Sequence, residues 1–515
     1  MDNANYQHGS RGWQELAECG QYEQAFELVS RHLVRESGDL EALNDAGTIL
    51  FCLGRSADAI GYLERAARLA QGDKAGQILW NLCEAYLQDG RCAEAVGLFE
   101  RMEGCGVLNV DVLNRTANAF LNKGALGGAI EMLLRSLAIC PEQEILQPMA
   151  EIIRHKRPRV GVVSGMAGLA GRLADWLSKR FVVELCEGQS FSSVCQTVEN
   201  CGISVFYGCD ESLIRAGHRE GGCGKVSVLH SEDIYGDEIE HICWQEADEI
   251  VAVGGLRVVD LLRERAGLSG QKPRITTADE AADIERCAFT LRVRGKRLAA
   301  LGPFDARSNV MFLLQCIQKL RYIDGDYKLY LGGEFSDRMV EEYVRSTIDS
   351  LGLKGAVFLD GPVANEVSWL KDKHYFVSAD ISDARLGRVW SAMACGLKPV
   401  VHRFAGADEV LDEEFLFNIS EQFCSQIQNG EYEPRKYRRF VEQRQKQFSE
   451  FKAVNEALLR IERRMILSGG AEARSGAMGQ SNSRVSEETS GRGLPHLPWE
   501  KMDAISPVGG REQRR

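Results

Sequence analysis

Residues 374–404 combine a polar loop and a helix of small residues between two apolar runs. The runs at 374–378 and 399–404 predict parallel strands, and 389–395 predict a tight helix that Gly396 ends. A strand–loop–helix–strand order is typical of a crossover in a parallel sheet, and ligands bind such sheets beyond the carboxyl ends of the strands. The first turn of a helix offers unpaired N–H groups and the positive end of the helix dipole. We therefore expect an anion such as a phosphate to bind where this helix begins.

One stretch of this segment resembles the nucleotide-sugar site of family 4 glycosyltransferases, which have the two-domain GT-B fold. The similarity lies in AMACG at 392–396, followed by PVV at 399–401. Members of that family transfer a sugar from a nucleoside diphosphate to an acceptor hydroxyl, with retention and without a bound metal. The family has two glutamates eight positions apart, where this chain has Asp383 and Ser391. The resemblance implies that Asp383 is catalytic and that Ser391 contacts the donor ribose.

The loop at 302–309 is similar to the family loop in which an arginine and a lysine hold the donor diphosphate. Those two positions are Pro303 and Ser308 here, so Arg307 is the nearby cation. A single guanidinium can bind a phosphate through two parallel hydrogen bonds. The resemblance places donor binding at Gly302, Arg307, Asn309, Gly333, Val363, Arg385, Gly387, Arg388 and Ser391.

A second motif follows a predicted strand at 226–230. Its sequence VLHSEDIY at 228–235, with Trp244 downstream, resembles a segment of related glycosyltransferases in which a histidine approaches the transferred sugar. The resemblance makes His230 a candidate catalytic residue. The alternative is a histidine that only forms hydrogen bonds in the wall between two domains. The acceptor-side loop is predicted to comprise Gly165, Gly168, Asp233 and Tyr235.

Alternating apolar strands and amphipathic runs from 159 to 467 would position these residues. This alternation predicts an α/β fold with two doubly wound, Rossmann-like parallel sheets. The predicted strands are 160–164, 181–186, 203–207, 226–230, 250–253 and 274–276, then 298–301, 328–331, 357–359, 375–378 and 399–404. From 434 to 467 we predict one long charged helix, which in the GT-B fold crosses back to the first sheet.

Residues 12–141 contain an internal repeat with a period near 34. Gly20, Gly54, Gly90 and Gly124 recur at this period, and an alanine follows each glycine by five positions. The pattern resembles the tetratricopeptide repeat, in which glycine forms the turn between two helices and a small residue lies where the helices cross. It predicts an all-α solenoid of four helix pairs that binds a protein or peptide partner, and a plain helical bundle is the alternative.

The 515 residues are too many for one hydrophobic core. We predict a repeat domain at 1–150, a linker at 151–158 and a first, acceptor-side sheet domain at 159–290. A second, donor-binding sheet domain with the crossing helix follows at 291–467, and 468–515 is predicted to be a disordered tail.

Composition excludes several functions. The net charge of −12 argues against general nucleic-acid binding. No apolar run approaches the ~20 residues that span a bilayer. The 16 cysteines show no metal-ligand spacing, so we expect reduced thiols, no metal, and no cofactor apart from the nucleotide-sugar substrate. The N-terminal residues lack a signal-peptide pattern, which predicts a cytoplasmic protein.

Two functions remain open at this point. The chain is either a glycosyltransferase whose repeats present a protein or polysaccharide acceptor, or an inactive glycosyltransferase relative that acts as a scaffold. Loss of two donor contacts worth ~1.5–3 kcal/mol each weakens binding by about two to four orders of magnitude. Cations near 385–388 would have to compensate for that loss in an active enzyme.

Overall fold

The computed structural model describes residues 6–165, 170–187, 190–209, 223–268, 270, 273–282 and 284–476. The chain divides into two compact units, and the division falls between Arg157 and Pro158. Gly168 and most of the predicted tail lie outside the described residues. No helix in the described ranges is long and apolar enough to cross a membrane.

The first unit consists of helices that pack in sequential pairs. They are α1 (Tyr6–Glu18), α2 (Tyr22–Arg35), α3 (Leu40–Cys52), α4 (Ser56–Leu69), α5 (Asp73–Gln88), α6 (Cys92–Gly97), α7 (Phe99–Gly104), α8 (Val110–Asn122), α9 (Leu126–Ile139) and α10 (Leu146–Lys156). Leu98 separates α6 from α7, so the third pair has a divided second helix. Four helix pairs are present, as the 34-residue period predicted.

The repeated glycines and alanines explain this regularity. Gly20, Gly54, Gly90 and Gly124 lie between paired helices with φ of 75°, 74°, 76° and 68°, a conformation that glycine adopts without a steric penalty. The alanines five positions later are completely buried in the unit's core. The assignment to the tetratricopeptide family itself stays a prediction. The segment predicted as a linker is mostly the end of α10, because Ile153 and its apolar neighbours pack into the same core.

The second unit begins with a six-stranded parallel sheet. Its strands are β1 (Val160–Ser164), β2 (Val183–Glu187), β3 (Ile203–Tyr207), β4 (Gly224–His230), β5 (Glu249–Val253) and β6 (Arg274–Ala278), in the order β2-β1-β3-β4-β5-β6. Its described helices are α11 (Gly171–Ser178), α12 (Phe191–Asn200), α13 (Ser231–Tyr235) and α14 (Leu256–Arg265). All neighbouring strands are parallel, as the alternating pattern predicted.

A second six-stranded parallel sheet follows. Its strands are β7 (Arg297–Leu301), β8 (Lys328–Gly332), β9 (Val357–Gly361), β10 (Tyr375–Ser378), β11 (Lys398–His402) and β12 (Leu416–Phe417), in the order β12-β11-β10-β7-β8-β9. Its helices are α15 (Val310–Ile323), α16 (Arg338–Ser350), α17 (Glu366–Leu370), α18 (Leu386–Ala394), α19 (Ala407–Val410) and α20 (Ser420–Gln428). The strand order reverses between β7 and β10, where a doubly wound sheet binds ligands.

The C-terminal helical segment is two helices rather than the single predicted one. Helices α21 (Pro434–Phe448) and α22 (Glu450–Gly476) meet at Ser449. The chain pairs there with the end of β6, because the Asp279 N–H donates to the Phe448 carbonyl at 2.7 Å and the Glu450 N–H donates to the Asp279 carbonyl at 2.9 Å. Helix α22 then packs on the first sheet. It extends to residue 476, nine residues into the predicted tail.

The described topology is therefore that of the GT-B fold. Two Rossmann-like domains follow each other along the chain, and a C-terminal helix returns to the first domain. The sheet edges contain one strand, β12, that the sequence did not predict. It has only two residues, too few to give a recognisable strand pattern.

Candidate functional site

His230 ends β4 and lies beside two carboxylates. Its Nε2 atom is 3.3 Å from Glu450 Oε2, and its Nδ1 atom is 3.8 Å from Asp233 Oδ2. Asp233 also accepts hydrogen bonds from the His230 N–H at 2.7 Å and the Cys209 N–H at 3.0 Å. Helix α13 starts directly after the strand, so both His230 and Asp233 are fixed by its first turn. His230 also lines a cavity, and both its catalytic role and the alternative of a wall histidine stay predictions.

The imidazole of His230 is held in its charged form. Burial opposes the charge, but the close Asp233 and Glu450 carboxylates outweigh burial and raise the pKa of His230 to about 10. Tyr207 donates its O–H to Glu450 Oε1 at 3.0 Å, and burial, with the nearby Glu450, raises the pKa of the tyrosine. A charged imidazole has a hydrogen-bond donor at each of its two ring nitrogens.

The cavity beside His230 has a volume of about 210 Å³, and we call it the acidic cavity. Its charged lining residues within the described chain are Arg172, His230, Glu232, Asp233, Glu280 and Glu450. Four carboxyl groups therefore face two cations. A volume of this size corresponds to roughly seven waters at ~30 Å³ each, so it suits a ligand about as large as one polar six-membered ring.

Asp383 lies close to the acidic cavity. Its neighbour Ala384 contributes to the lining. Burial raises the pKa of Asp383, while the nearby Ser231 hydroxyl and attraction to His230 oppose that rise. The structure therefore brings together His230 and Asp383, the two predicted catalytic residues.

The predicted diphosphate loops meet at the switch point of the second sheet, but their cations are already paired. Arg385 contacts Asp380 at 2.6 Å and Asp305 at 2.8 Å. Arg307 contacts Glu232 at 2.9 Å and Asp305 at 3.2 Å. Asp305 also accepts the N–H groups of Arg307 and Ser308 at 3.0 Å. Internal carboxylates thus fill the positions that the resemblance assigned to donor phosphates.

The first turn of α18 is likewise capped from within the chain. The Gly387 N–H donates to Glu280 Oε2 at 2.7 Å. Burial raises the pKa of Glu280 to about 7, although this hydrogen bond acts in the opposite direction. Glu280 therefore occupies the anion position predicted for a phosphate, and it changes protonation near neutral pH.

Helix α18 begins three residues earlier than predicted, which changes the role of Ser391. This residue lies in the second turn, and its hydroxyl donates to the Gly387 carbonyl at 2.9 Å. Arg388 lies in the first turn and donates to the Leu301 carbonyl at 3.2 Å. The polar loop 379–385 hid the true start of the helix, because Leu386 and Gly387 continue it without an obvious capping residue.

Ser391 lines a larger cavity, of about 740 Å³, which we call the basic cavity. Its charged lining residues in the described chain are Arg172, Arg286, Arg292, Lys371 and Glu366. Four cations therefore face one carboxylate. Arg172 lines both cavities, and its guanidinium donates to the Ala281 carbonyl at 3.1 Å. This volume is typical of a site for a ligand of nucleotide size.

The other predicted donor and acceptor positions have mainly structural contacts. Gly302 and Gly333 pack against each other where β7 and β8 end, and Val363 packs against Gly332. Asn309 precedes α15 with φ of 46°. Gly165 follows β1, and Tyr235 is 59% exposed and lines neither cavity.

The sequence analysis missed Glu280, Glu450, Tyr207 and Arg172. Glu280 follows the carboxyl end of β6 by two residues, and this position was a usable signal because ligands bind at such ends. Tyr207 is the last residue of β3 and gave the same signal. Glu450 is more than 200 residues from His230 and reaches it only through the break at Ser449, so no local pattern indicated it.

The strand orders and the returning helix define a protein of the GT-B class. The chain matches no protein-family model and no curated protein. Three solved structures are similar in fold. A variant of S. aureus TarM with fondaparinux, α-GlcNAc-glycerol and UDP is 14% identical, with 50% of this chain and 55% of that chain covered and a TM-score of 0.42. Anabaena HepE with UDP-glucose is 13% identical, with 60% and 100% covered and a TM-score of 0.47.

The third structure is a mutant of the Thermobaculum terrenum O-GlcNAc transferase. It is 13% identical, with 90% of this chain and 98% of that chain covered and a TM-score of 0.39. The chain spans about half the length of TarM and the whole of HepE. The fold assignment rests on the strand orders above, and these likenesses carry no conclusion about activity.

Proposed function

We propose that this chain is a glycosyltransferase that uses a nucleoside-diphosphate sugar as its donor. The observation that carries the proposal is the pair of adjoining cavities that share Arg172. The basic cavity has the size and charge for a nucleoside diphosphate. The acidic cavity offers His230 and several carboxyl groups to one sugar ring.

In this assignment the nucleoside lies beside Ser391, and the sugar lies beside His230 and Asp383. The bond between the sugar's anomeric carbon and the phosphate oxygen breaks, and the acceptor hydroxyl oxygen bonds to that carbon. The acceptor's proton passes to the departing diphosphate. Cations of the basic cavity and the Gly387 N–H would stabilise the negative charge that develops on the leaving group. No metal or other cofactor takes part.

The donor diphosphate would have to replace Glu280 at the Gly387 N–H. The pKa of Glu280, about 7, supports this exchange, because a protonated carboxyl group holds an N–H donor less strongly than a carboxylate. We further propose that the repeat helices bind the acceptor, a protein or a polysaccharide-bearing partner. The regular helix pairs of the first unit support that role, because such repeats form extended binding surfaces.

Calorimetry with UDP, GDP and ADP tests the donor assignment. We expect one of them to bind, and Arg172→Ala to weaken that binding about 10- to 100-fold, since a charge-assisted contact is worth ~1.5–3 kcal/mol. Arg263→Ala is the matched control, because Arg263 is exposed and lines neither cavity. Release of the diphosphate from a bound donor on addition of an acceptor would then establish transfer.

A scaffold without catalysis is the second candidate. It is favoured by the internal ion pairs of Arg307 and Arg385 and by the Glu280 cap on α18. This alternative predicts that none of the three nucleotides binds, while a partner still binds the repeat unit. Absence of nucleotide binding to a folded full-length chain would overturn the glycosyltransferase proposal.

A further inference from the structure

The acidic cavity contains more carboxyl groups than a neutral sugar requires. Among the described lining residues, Glu232, Asp233, Glu280 and Glu450 outnumber Arg172 and His230. Both cations already have partners, since His230 lies between Asp233 and Glu450 and Arg172 donates to a backbone carbonyl. The cavity therefore presents mainly hydrogen-bond acceptors, and its imidazolium lies between two carboxylates.

Glu450 is the most deeply placed of these carboxylates. It is 2% exposed, and no described residue donates a hydrogen bond of good geometry to its Oε2 atom. A buried carboxylate oxygen without such a donor is costly and calls for a ligand or water. A hydroxyl or ammonium group in the cavity would satisfy it.

The fold holds Glu450 in place independently of any ligand. The Ser449 break joins the start of α22 to β6 through the Asp279 backbone. Arg444 of α21 forms two hydrogen bonds to the Asp279 carboxylate, at 2.6 and 3.1 Å. The crossing helices thus hold the Glu450 carboxylate at the carboxyl ends of the first sheet's strands.

We propose that the acidic cavity selects the donated sugar by charge, with Glu450 as the determinant. It accepts a neutral sugar or an amino sugar and excludes a sugar that carries a carboxylate. This inference rests on the proposed donor function and concerns its specificity. Hydroxyl and ammonium groups donate hydrogen bonds to the cavity's carboxylates, whereas a sugar carboxylate would meet an excess of like charges among the described lining residues, where Arg172 is assigned to the donor diphosphate.

The test compares UDP, UDP-glucose, UDP-glucosamine and UDP-glucuronate by calorimetry on the full chain. We expect the glucuronate to bind at least about tenfold more weakly than the glucose conjugate, because like-charge contacts in a buried site are strongly unfavourable. Glucosamine should bind as well as glucose or better. Glu450→Gln keeps the Tyr207 acceptor but removes the charge, so the glucose-to-glucuronate affinity ratio should fall at least about threefold.

Glu456→Gln is the matched control, because Glu456 lies on the same helix and is exposed. It should leave the ratio unchanged. Equal binding of the glucose and glucuronate conjugates, or an unchanged ratio in Glu450→Gln, would overturn the inference while UDP still binds. Failure of UDP and all three conjugates to bind would instead reject the donor function and the inference with it. If Glu450→Gln does not fold, the glucose-to-glucuronate affinity ratio is measured instead on Glu232→Gln, since Glu232 is an exposed residue of the same cavity.

Discussion

The two cavities of the second unit contain opposite excesses of charge. Four cations and one carboxylate line the basic cavity, whereas four carboxyl groups and two cations line the acidic cavity, in each case among the described residues. Arg172 belongs to both. A nucleoside-diphosphate sugar has the same polarity, with its negative charge at one end and hydroxyl groups at the other. The proposed donor would therefore be held by charge separation across the adjoining cavities.

The cations available to a phosphate also come from a different segment than the resemblance indicates. The strand-end loops of the second sheet retain Arg307 and Arg385, but carboxylates neutralise both. Arg286 and Arg292 of the basic cavity come instead from the segment between the two sheets. A comparison of variants in the two regions can therefore separate residues that bind a ligand from residues that stabilise the fold.

The largest effect is expected from removal of the cation in the acidic cavity. His230→Ala leaves Glu450 and Asp233 without their shared partner, and breaking a buried ion pair in this way costs about 3–5 kcal/mol. The pKa of His230 is raised to about 10 in the folded chain, so its stabilising contribution is complete below the unfolded pKa near 6.5 and is lost as the pH rises towards 10.

Chemical denaturation at pH 6 and pH 9 checks this prediction. The wild-type chain should lose stability between the two values, and His230→Ala should lose less. His241→Ala is a control, because His241 is an exposed histidine outside both cavities. An equal pH dependence in wild type and His230→Ala would show that the histidine is not charged in the cavity.

This contrast also shows which features the sequence could predict. The helix pairs and the strands were predictable, because Gly54 and Ala59 mark a turn and a helix crossing, and runs such as 298–301 are apolar over their whole length. The candidate catalytic pair His230 and Asp383 followed from motifs. Glu450 could not be found in this way, because its position depends on the Asp279–Ser449 pairing between distant segments. The ion-pair partners of Arg307 and Arg385 could not be predicted either. Glu232 is far from Arg307 in sequence, and more than one acidic residue lies near Arg385 in sequence.

The next largest effect concerns Glu280, which lines the acidic cavity and caps α18. Glu280→Ala frees the Gly387 N–H for a phosphate and removes a negative charge, so nucleoside-diphosphate affinity should rise about tenfold. In the wild type, affinity should rise as the pH falls through about 7, where Glu280 becomes protonated. Glu450, His230 and Arg388 also affect the pKa of this carboxyl group. The Glu280→Ala variant is therefore required to isolate the contribution of Glu280 to the pH dependence.

Calorimetry between pH 6 and pH 8 measures both effects. The ligand's own phosphate titrates in this range, and the Glu280→Ala variant reports that contribution alone. The prediction fails if the pH dependence is the same in both proteins.

A smaller effect is expected at Ser391, on the basic cavity. Ser391→Glu adds a carboxylate in the second turn of α18, where the resembling family binds the ribose. A hydrogen bond from a ribose hydroxyl should raise nucleotide affinity by a few-fold up to about tenfold, partly offset by the negative charge added near the phosphates. Ser391→Gln is the matched control, because it adds a similar volume without charge. A lower melting temperature without a gain in affinity would place the ribose elsewhere.

The smallest effect is expected at Arg307, although the resemblance gives it the main phosphate contact. Its guanidinium is about half exposed and pairs with Glu232 and Asp305, so a phosphate would have to compete with two carboxylates. Exposed ion pairs of this kind are worth about 0–1 kcal/mol. Arg307→Ala should therefore change both nucleotide affinity and stability by less than about threefold, whereas Arg172→Ala should weaken nucleotide binding by at least about tenfold. If Arg307→Ala instead weakened nucleotide binding as strongly as Arg172→Ala, the diphosphate would bind at the strand-end loop after all. The Glu232 and Asp305 pairs would then have to open when the ligand binds, and the basic cavity would lose its assigned role.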